Sequence, residues 1–239
     1  MQTFIGTSGW SYQEWKGSFY PTKMPAGKML GYYAERFGAV EVNNSFYRIP
    51  SERVLLSWAQ QVPQHFRFIM KASRRITHFG RLRDQDDSLG YFLRAVTPLG
   101  TKLGPTLFQL PPTFEADLEK LRGFLGRLPR RWQAALEFRH RSWFTEEVYQ
   151  LLRTHDVPLV TVDAGEDDGV SAPLVATASW GYLRLRRGHY SPADLVRWAA
   201  RVREQPWTST YFFLKHEEGS PTGPAAAQEL KAILTDQER

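Results

Sequence analysis

The sequence predicts an α/β fold: a TIM-barrel-like (β/α)8 arrangement of parallel strands forming a single domain over residues 1–239. Three observations predict it. Short apolar runs alternate with amphipathic segments of helical period. Strand–helix alternation of this kind favours a parallel sheet, and eight such units in 239 residues match the length of a barrel. No Gly-x-Gly-x-x-Gly follows the first strand, which counts against the competing doubly wound open sheet.

The elements follow in order. Thr3–Gly6 is the first strand, and an irregular aromatic-rich stretch runs on to Gly27. Leu30, Tyr33, Ala34 and Phe37 mark one apolar helical face. Ala39–Asn43 is a strand, Ser51–Val62 a helix, Phe66–Lys71 a strand and Ser88–Val96 a helix. Thr106–Leu110 is a strand stopped by Pro111-Pro112, because proline cannot donate to a ladder. Glu115–Leu128 is helical, Ala134–Arg139 a strand, Thr145–Thr154 a helix and Pro158–Asp163 a strand. The next segment carries Gly165, the acidic run Glu166-Asp-Asp168, Gly169 and Pro173, and has no helical pattern. The barrel is therefore expected to be irregular, with one helix missing or short between strands six and seven. Gly181–Arg186 is strand seven. Ser191-Pro-Ala-Asp194 opens a helix, with Ser as the cap, Pro in the first turn and Asp at the third position. Thr208–Lys215 is the last strand and Pro224–Leu234 the last helix.

Composition narrows the function classes. There is no cysteine, which excludes thiolate catalysis, disulfides and cysteine-bound metal centres. Lys and Arg number 31 against 25 Asp and Glu, a net charge of +6 that favours anionic partners. No apolar run is long enough to span a membrane, and the first residues carry no secretory pattern, so the expectation is a cytoplasmic protein without a membrane partner. No Walker loop, nucleophile elbow or RNA-binding aromatic signature is present.

In a barrel, chemistry sits at the C-terminal ends of the strands. Here those ends are polar: Glu41 and Asn43, Lys71, Gln109, Glu137 and Arg139, Asp163, Arg184 and Arg186, and Lys215. Residues two apart on a strand share a face, so Glu137 pairs with Arg139 and Arg184 with Arg186, opposite Leu and Phe neighbours. The apolar side must meet the helices, which sends the charged side into the barrel mouth. Five cations then surround three carboxylates. A closed ion-pair network is the bland reading of such a set. An anion-binding site with a carboxylate and a lysine held together for acid–base work is the sharper one.

Aromatic residues crowd the loops at the same end. Trp10, Tyr12, Trp15, Phe19 and Tyr20 follow strand one, Phe46-Tyr47 follows strand two, and Trp143-Phe144 follows strand five. Most are expected to form a core beneath the loops. Trp10, Tyr47 and Trp143 are candidates to line the pocket and stack on a ring. His78, His140, His189 and His216 also follow strands, but no His-x-His or His-Glu-x-x-His spacing supports a metal site. No metal and no cofactor are expected, and His78 is read as an acid–base group or phosphate contact.

Together these residues resemble the family called domain of unknown function 72, the YecE-like proteins. The resemblance rests on Gly6-Thr-Ser-Gly-Trp10 with Tyr12, Trp15 and Phe19-Tyr-Pro21, and on Val40-Glu-Val-Asn-Asn-Ser-Phe-Tyr47. It continues through Phe68-Ile-Met-Lys71 with Thr77-His78, Leu103-Gly-Pro105, Gln109-Leu-Pro-Pro112, Glu137-Phe-Arg139 with Ser142-Trp143, and Val162-Asp163. It implies a TIM-barrel-like fold and no particular reaction.

The expected function is an enzyme acting by acid–base or hydrolytic chemistry on a phosphate- or carboxylate-bearing small molecule. Glu137 or Asp163 would be the general base and Lys71 the acid or electrostatic stabiliser. Arg139, Arg184, Arg186 and Lys215 would clamp the anion, with Glu41, Asn43 and Gln109 fixing orientation. Two rivals stand beside it: a non-catalytic nucleic-acid binder, and a metal-dependent phosphodiesterase or endonuclease-like enzyme.

Overall fold

The computed structural model describes residues 1–83, 87–165, 170–215 and 222–236. The acidic run at 166–168, His216 and part of the 219–223 loop lie outside the described residues.

Eight strands lie among the described residues: β1 (Gln2–Thr7), β2 (Ala39–Val42), β3 (Arg67–Met70), β4 (Thr106–Gln109), β5 (Ala134–Glu137), β6 (Thr161–Asp163), β7 (Trp180–Leu185) and β8 (Ser209–Leu214). Seven α-helices separate or follow them among the described residues: α1 (Ala26–Ala34), α2 (Glu52–Gln61), α3 (Ser88–Val96), α4 (Leu118–Arg127), α5 (Glu146–Thr154), α6 (Pro192–Arg203) and α7 (Thr222–Asp236). No described residue between β6 and β7 is helical, as the Gly- and Pro-punctuated segment predicts.

Helix starts follow the capping chemistry. Ser191 Oγ accepts from Asp194 N at 3.2 Å and Asp194 Oδ2 accepts from Ser191 N at 3.0 Å, so two end donors of α6 are satisfied reciprocally. Asp117 accepts from Lys120 N at 2.9 Å, which starts α4 at residue 118 rather than at the expected 115. Several expected strands overrun the observed ends, β2 to β5 by one or two residues at the C-terminal side and β6 by three at its start, while β1 is longer than expected by one residue at each end. Asn43 has left the ladder and opens a 3-10 turn, while Lys71 and Arg139 lie beyond the ends of β3 and β5. One π-helical turn, Arg75–Phe79, has no signal in the sequence pattern.

All three sheets are parallel. One has the order β1-β8-β7-β6, and the others pair β2 with β3 and β4 with β5. Single parallel bridges join them: Ser8 to Glu41, Lys71 to Leu107, and Leu136 to Leu159. β1 and β2 approach so closely that a Cβ on Gly6 would lie 1.9 Å from the Ala39 carbonyl oxygen, which only glycine avoids.

The core has two parts. The larger packs one face of the strands, including Val40, Phe68, Phe108, Leu136, Leu183 and Phe212, against buried helix residues such as Leu30, Leu55, Leu121 and Leu195. The smaller draws side chains from all eight strands and from no helix: among them Phe4, Ala39, Ile69, Leu107, Ala135, Val162, Tyr182 and Phe213. Both faces of the strands are therefore apolar over most of their length, as parallel sheets require. The polar residues sit where the strands end.

Candidate active site

The inner face of the strands turns polar in one step at its C-terminal end. On β7, Tyr182 is followed two residues later by Arg184; on β5, Ala135 is followed by Glu137; on β2, Ala39 is followed by Glu41. Alternation puts each pair on one side, so the charged set stacks directly on the apolar inner cluster.

Arg184 is the hub. Its guanidinium donates to Glu41 Oε1 at 2.7 Å, to Glu137 Oε2 at 2.6 Å and to Gln109 Oε1 at 3.4 Å. Both carboxylates are completely buried, and Arg184 nearly so. Glu41 accepts further from Ser8 Oγ at 2.9 Å, Asn43 Nδ2 at 3.1 Å and the Tyr182 hydroxyl at 2.7 Å. Glu137 Oε1 accepts from Arg139 Nε at 2.9 Å and lies 3.9 Å from the Arg186 guanidinium. Charges this deep are sustained by partners of opposite sign and by hydrogen bonds, although Arg184 Nε is buried without a hydrogen-bond partner.

The titration of the set follows from this geometry. Burial alone would raise the Glu137 carboxyl, but Arg184, Arg139 and Arg186 outweigh it and hold it at about 2. Glu41 is likewise lowered, burial being overcome by Arg184, Tyr182 and Ser8. Lys71 moves the other way: burial and then Arg184 bring its ammonium down to about 8, against the pull of Glu137 and Glu41. Its Nζ sits 4.5 Å from the centre of the Phe46 ring. His78 meets the same ring edge-on at 4.8 Å. Burial, Lys71 and Arg139 lower the imidazole to about 4, so it is neutral at pH 7. His78 Nδ1 lies 2.9 Å from Thr77 Oγ1 within the π-helical turn, a distortion often found at functional sites.

The structure thus brings together Glu41, Asn43, Lys71, His78, Gln109, Glu137, Arg139, Arg184 and Arg186. It sets the others apart. Asp163 was expected with Glu137, but Val160 and Val162 take the inner side of its strand, so Asp163 faces α6. There it accepts from Arg187 Nε at 2.9 Å and from Trp198 Nε1 at 3.0 Å. Lys215 lies past β8, where its backbone N–H donates to Leu185; it lines a small cavity with Arg187, His189 and Tyr190. Trp143, expected at the pocket, is fully buried. It stacks on Phe138 at 4.5 Å and donates to the Phe114 carbonyl at 2.7 Å, so it holds loops down. Trp10 packs edge-on against Trp58 at 4.9 Å and lines a cleft of about 390 Å³ with Tyr12 and Asn43. Tyr47 is exposed at the rim beside Phe46.

Ser8, Phe46 and Tyr182 belong to the cluster and were missed as site residues. Tyr182 was legible in principle, lying two residues before Arg184 on the same face. Phe46 had no such signal, because the turn that places it forms only after β2 ends. Among the described residues, no three His, Asp or Glu side chains come together as a metal-binding group. No helix of the described residues is long and apolar enough to cross a membrane.

The crystal structure of a DUF72 family protein from Thermotoga maritima matches the whole chain with a TM-score of 0.83 and 29% identity, over the full length of both. A DUF72 family protein from Enterococcus faecalis shares the fold, with a TM-score of 0.81 at 20% identity over 98% of this chain and 95% of that one. UPF0759 protein YecE of Escherichia coli K12 is 33% identical over 144 residues, 60% of this chain and 50% of that protein. UPF0759 protein YunF of Bacillus subtilis is 33% identical over 159 residues, 62% of this chain and 54% of that protein. The chain spans about half the length of these curated relatives. The family model described as protein of unknown function DUF72 matches residues 4–239, and the chain belongs to that family.

Proposed function

We propose that the cluster around Arg184 binds an anion, a phosphate or carboxylate of a small substrate, and performs acid–base or hydrolytic chemistry on it. The observation that carries this reading is the setting of Lys71. Its ammonium is largely buried 4.5 Å from the Phe46 ring, beside His78, and none of the ion pairs among the described residues engages it, while Arg184 and Arg139 add positive charge around it. A buried cation in such company is costly, and a bound anion beside it offsets that cost.

The residues then take distinct parts. Lys71 titrates near neutrality, so it can both give and take a proton at physiological pH. His78 is neutral there and supplies a second proton acceptor beside it. Arg139 and Arg186 clamp the anion with Arg184. Glu137 is too weak a base for the role sequence reasoning gave it, since its oxygens are occupied by guanidinium groups. With Glu41, Asn43 and Gln109 it is a positioning residue that fixes Arg184.

The same reading takes the three sheets as one closed eight-stranded barrel and the chain as one domain. The bridges Ser8–Glu41, Lys71–Leu107 and Leu136–Leu159, and an inner cluster drawn from all eight strands, support it.

Calorimetric titration with inorganic phosphate tests the site. A charge-assisted hydrogen bond contributes about 1.5–3 kcal/mol, so Lys71→Ala or Arg139→Ala is expected to weaken binding roughly 10- to 150-fold. Phosphate affinity unchanged in both variants, or nucleic-acid binding with a steep salt dependence that ignores them, would refute the reading.

A further inference from the structure

Among the described residues three aromatic side chains are exposed, Tyr47 at 68%, Phe79 at 70% and Tyr91 at 61%. They do not scatter. Tyr47 and Phe79 flank one guanidinium: Arg74 lies 5.7 Å from the Tyr47 ring centre and 5.3 Å from that of Phe79. Tyr91 lines a cleft of about 690 Å³ with Tyr47, together with Arg48, Arg75, Arg94 and Glu52. Exposed rings interleaved with arginines are an unusual use of surface, because each ring leaves apolar area in water.

Their position ties them to the charged cluster. The Phe46 ring touches Tyr47 edge-on at 4.9 Å, His78 at 4.8 Å and Lys71 Nζ at 4.5 Å. One buried ring therefore separates the exposed rim from the lysine and histidine. The backbone is bent to make this happen. Thr77, His78 and Phe79 lie in the π-helical turn, and Arg81 and Leu82 just beyond it adopt φ of 46° and 65°, a region that costs energy for such residues. A rim that stacks on a planar ring gives the exposed rings and the strained turn a common purpose.

We propose that Tyr47, Arg74 and Phe79 form a stacking rim for the base of a nucleotide whose phosphate enters the Arg184 cluster. The inference rests on the anion reading above and specifies its ligand: a heteroaromatic base joined through a sugar to a phosphate. Aromatic faces and a guanidinium accept any base, so the rim selects for the presence of a base and not for its identity. The Tyr47–Tyr91 cleft, with its three arginines, continues from the rim and provides room for a second nucleotide of a single strand.

Calorimetry with four ligands tests this: inorganic phosphate, ribose 5-phosphate, adenosine 5′-monophosphate and a 5′-phosphorylated thymidine decamer. The proteins are wild type, the Tyr47→Ala/Phe79→Ala double variant and the Tyr47→Phe/Phe79→Tyr double variant that keeps both rings. The monophosphate is expected to bind roughly 5- to 150-fold tighter than ribose 5-phosphate, the range of one stacked base. That gap should vanish in the alanine variant, persist in the ring-preserving one, and leave inorganic phosphate unaffected in both. Because the side chains are exposed, thermal unfolding should be unchanged. A decamer that gains affinity over the monophosphate, and loses the gain in a Tyr91→Ala variant, marks a strand as the source; equal affinities mark a free nucleotide. Ribose 5-phosphate and the monophosphate binding equally well to wild type, with inorganic phosphate retained, would overturn the rim and leave the anion site standing. Failure of inorganic phosphate and both phosphate esters to bind wild type would overturn the anion reading and the rim together.

Discussion

Replacing Arg184 by Met removes the cation that two fully buried carboxylates share. Glu41 and Glu137 lie 2.7 and 2.6 Å from its guanidinium, and neither has access to water. Removing one member of a buried ion pair costs about 3–5 kcal/mol. Here one substitution removes the ion-pair partner of Glu41 and leaves Glu137 with Arg139 at 2.9 Å, so a loss within that range is expected, a large fraction of the roughly 5–15 kcal/mol that holds a domain folded. The pH dependence makes the argument sharper. In the wild type, Glu137 is held at about 2, below the roughly 4.3 of an unfolded glutamate. This contributes about 3 kcal/mol that is present above pH 4.3 and lost as the pH falls towards 2. In the variant Glu137 keeps Arg139 at 2.9 Å, but Glu41 keeps only the neutral donors Ser8, Asn43 and Tyr182, so the variant's folded Glu41 carboxyl rises above its unfolded value. The variant's stability then falls as the pH rises through that value, so the deficit against wild type is largest at pH 7 and shrinks towards pH 5. Urea unfolding at pH 7, 6 and 5 reads both effects. A loss under about 1 kcal/mol at pH 7, with parallel pH profiles, would show that the cluster does not depend on Arg184 and would refute the reasoning.

Other outcomes follow from the same geometry. Lys71 should titrate near pH 8 by side-chain NMR, and because its folded value lies below the unfolded one, wild-type stability should rise as the pH climbs from about 8 towards 10.4. Lys71→Met should flatten that rise; an ordinary lysine titration near 10.4 would contradict the burial of the ammonium. Trp143→Ala should destabilise by about 3–5 kcal/mol through loss of the Phe138 stack and the bond to Phe114, with phosphate affinity of the folded protein unchanged; a selective loss of affinity would return Trp143 to the pocket. Asp163→Asn should lower stability by roughly 1 kcal/mol, measured by urea unfolding, and leave phosphate affinity within about twofold, since its partners are Arg187 and Trp198. A tenfold loss of affinity would place Asp163 back in the site.

Much of the cluster was legible because strands alternate. Leu136 and Phe138 had to meet helices, and that alone sent Glu137 and Arg139 inward together; Leu183 and Leu185 did the same for Arg184 and Arg186. The argument failed where both faces read alike. In Pro158-Leu-Val-Thr-Val-Asp163, Leu159 and Val160 are equally good core residues, so local pattern could not say which face was inner. Packing put Val160 and Val162 inside and turned Asp163 towards α6. The aromatic residues divided in a similar way. Their crowding at one end of the strands was plain from spacing, but Trp143 went into the loop core and Tyr47 to the rim, a choice made by the turns around them.

The sequence by itself determined the order of strands and helices, the lack of helix among the described residues between β6 and β7, the start of α6, and the concentration of charge at one end of the strands. These are local properties, set by side-chain period, capping chemistry and the limits of proline and glycine. Tertiary structure decided which charges meet, which rings remain exposed, and the titration of Lys71 and Glu137. Those depend on distances between strands far apart in the chain, as when Glu41 and Arg184 meet across 143 residues, and on burial that no local pattern encodes.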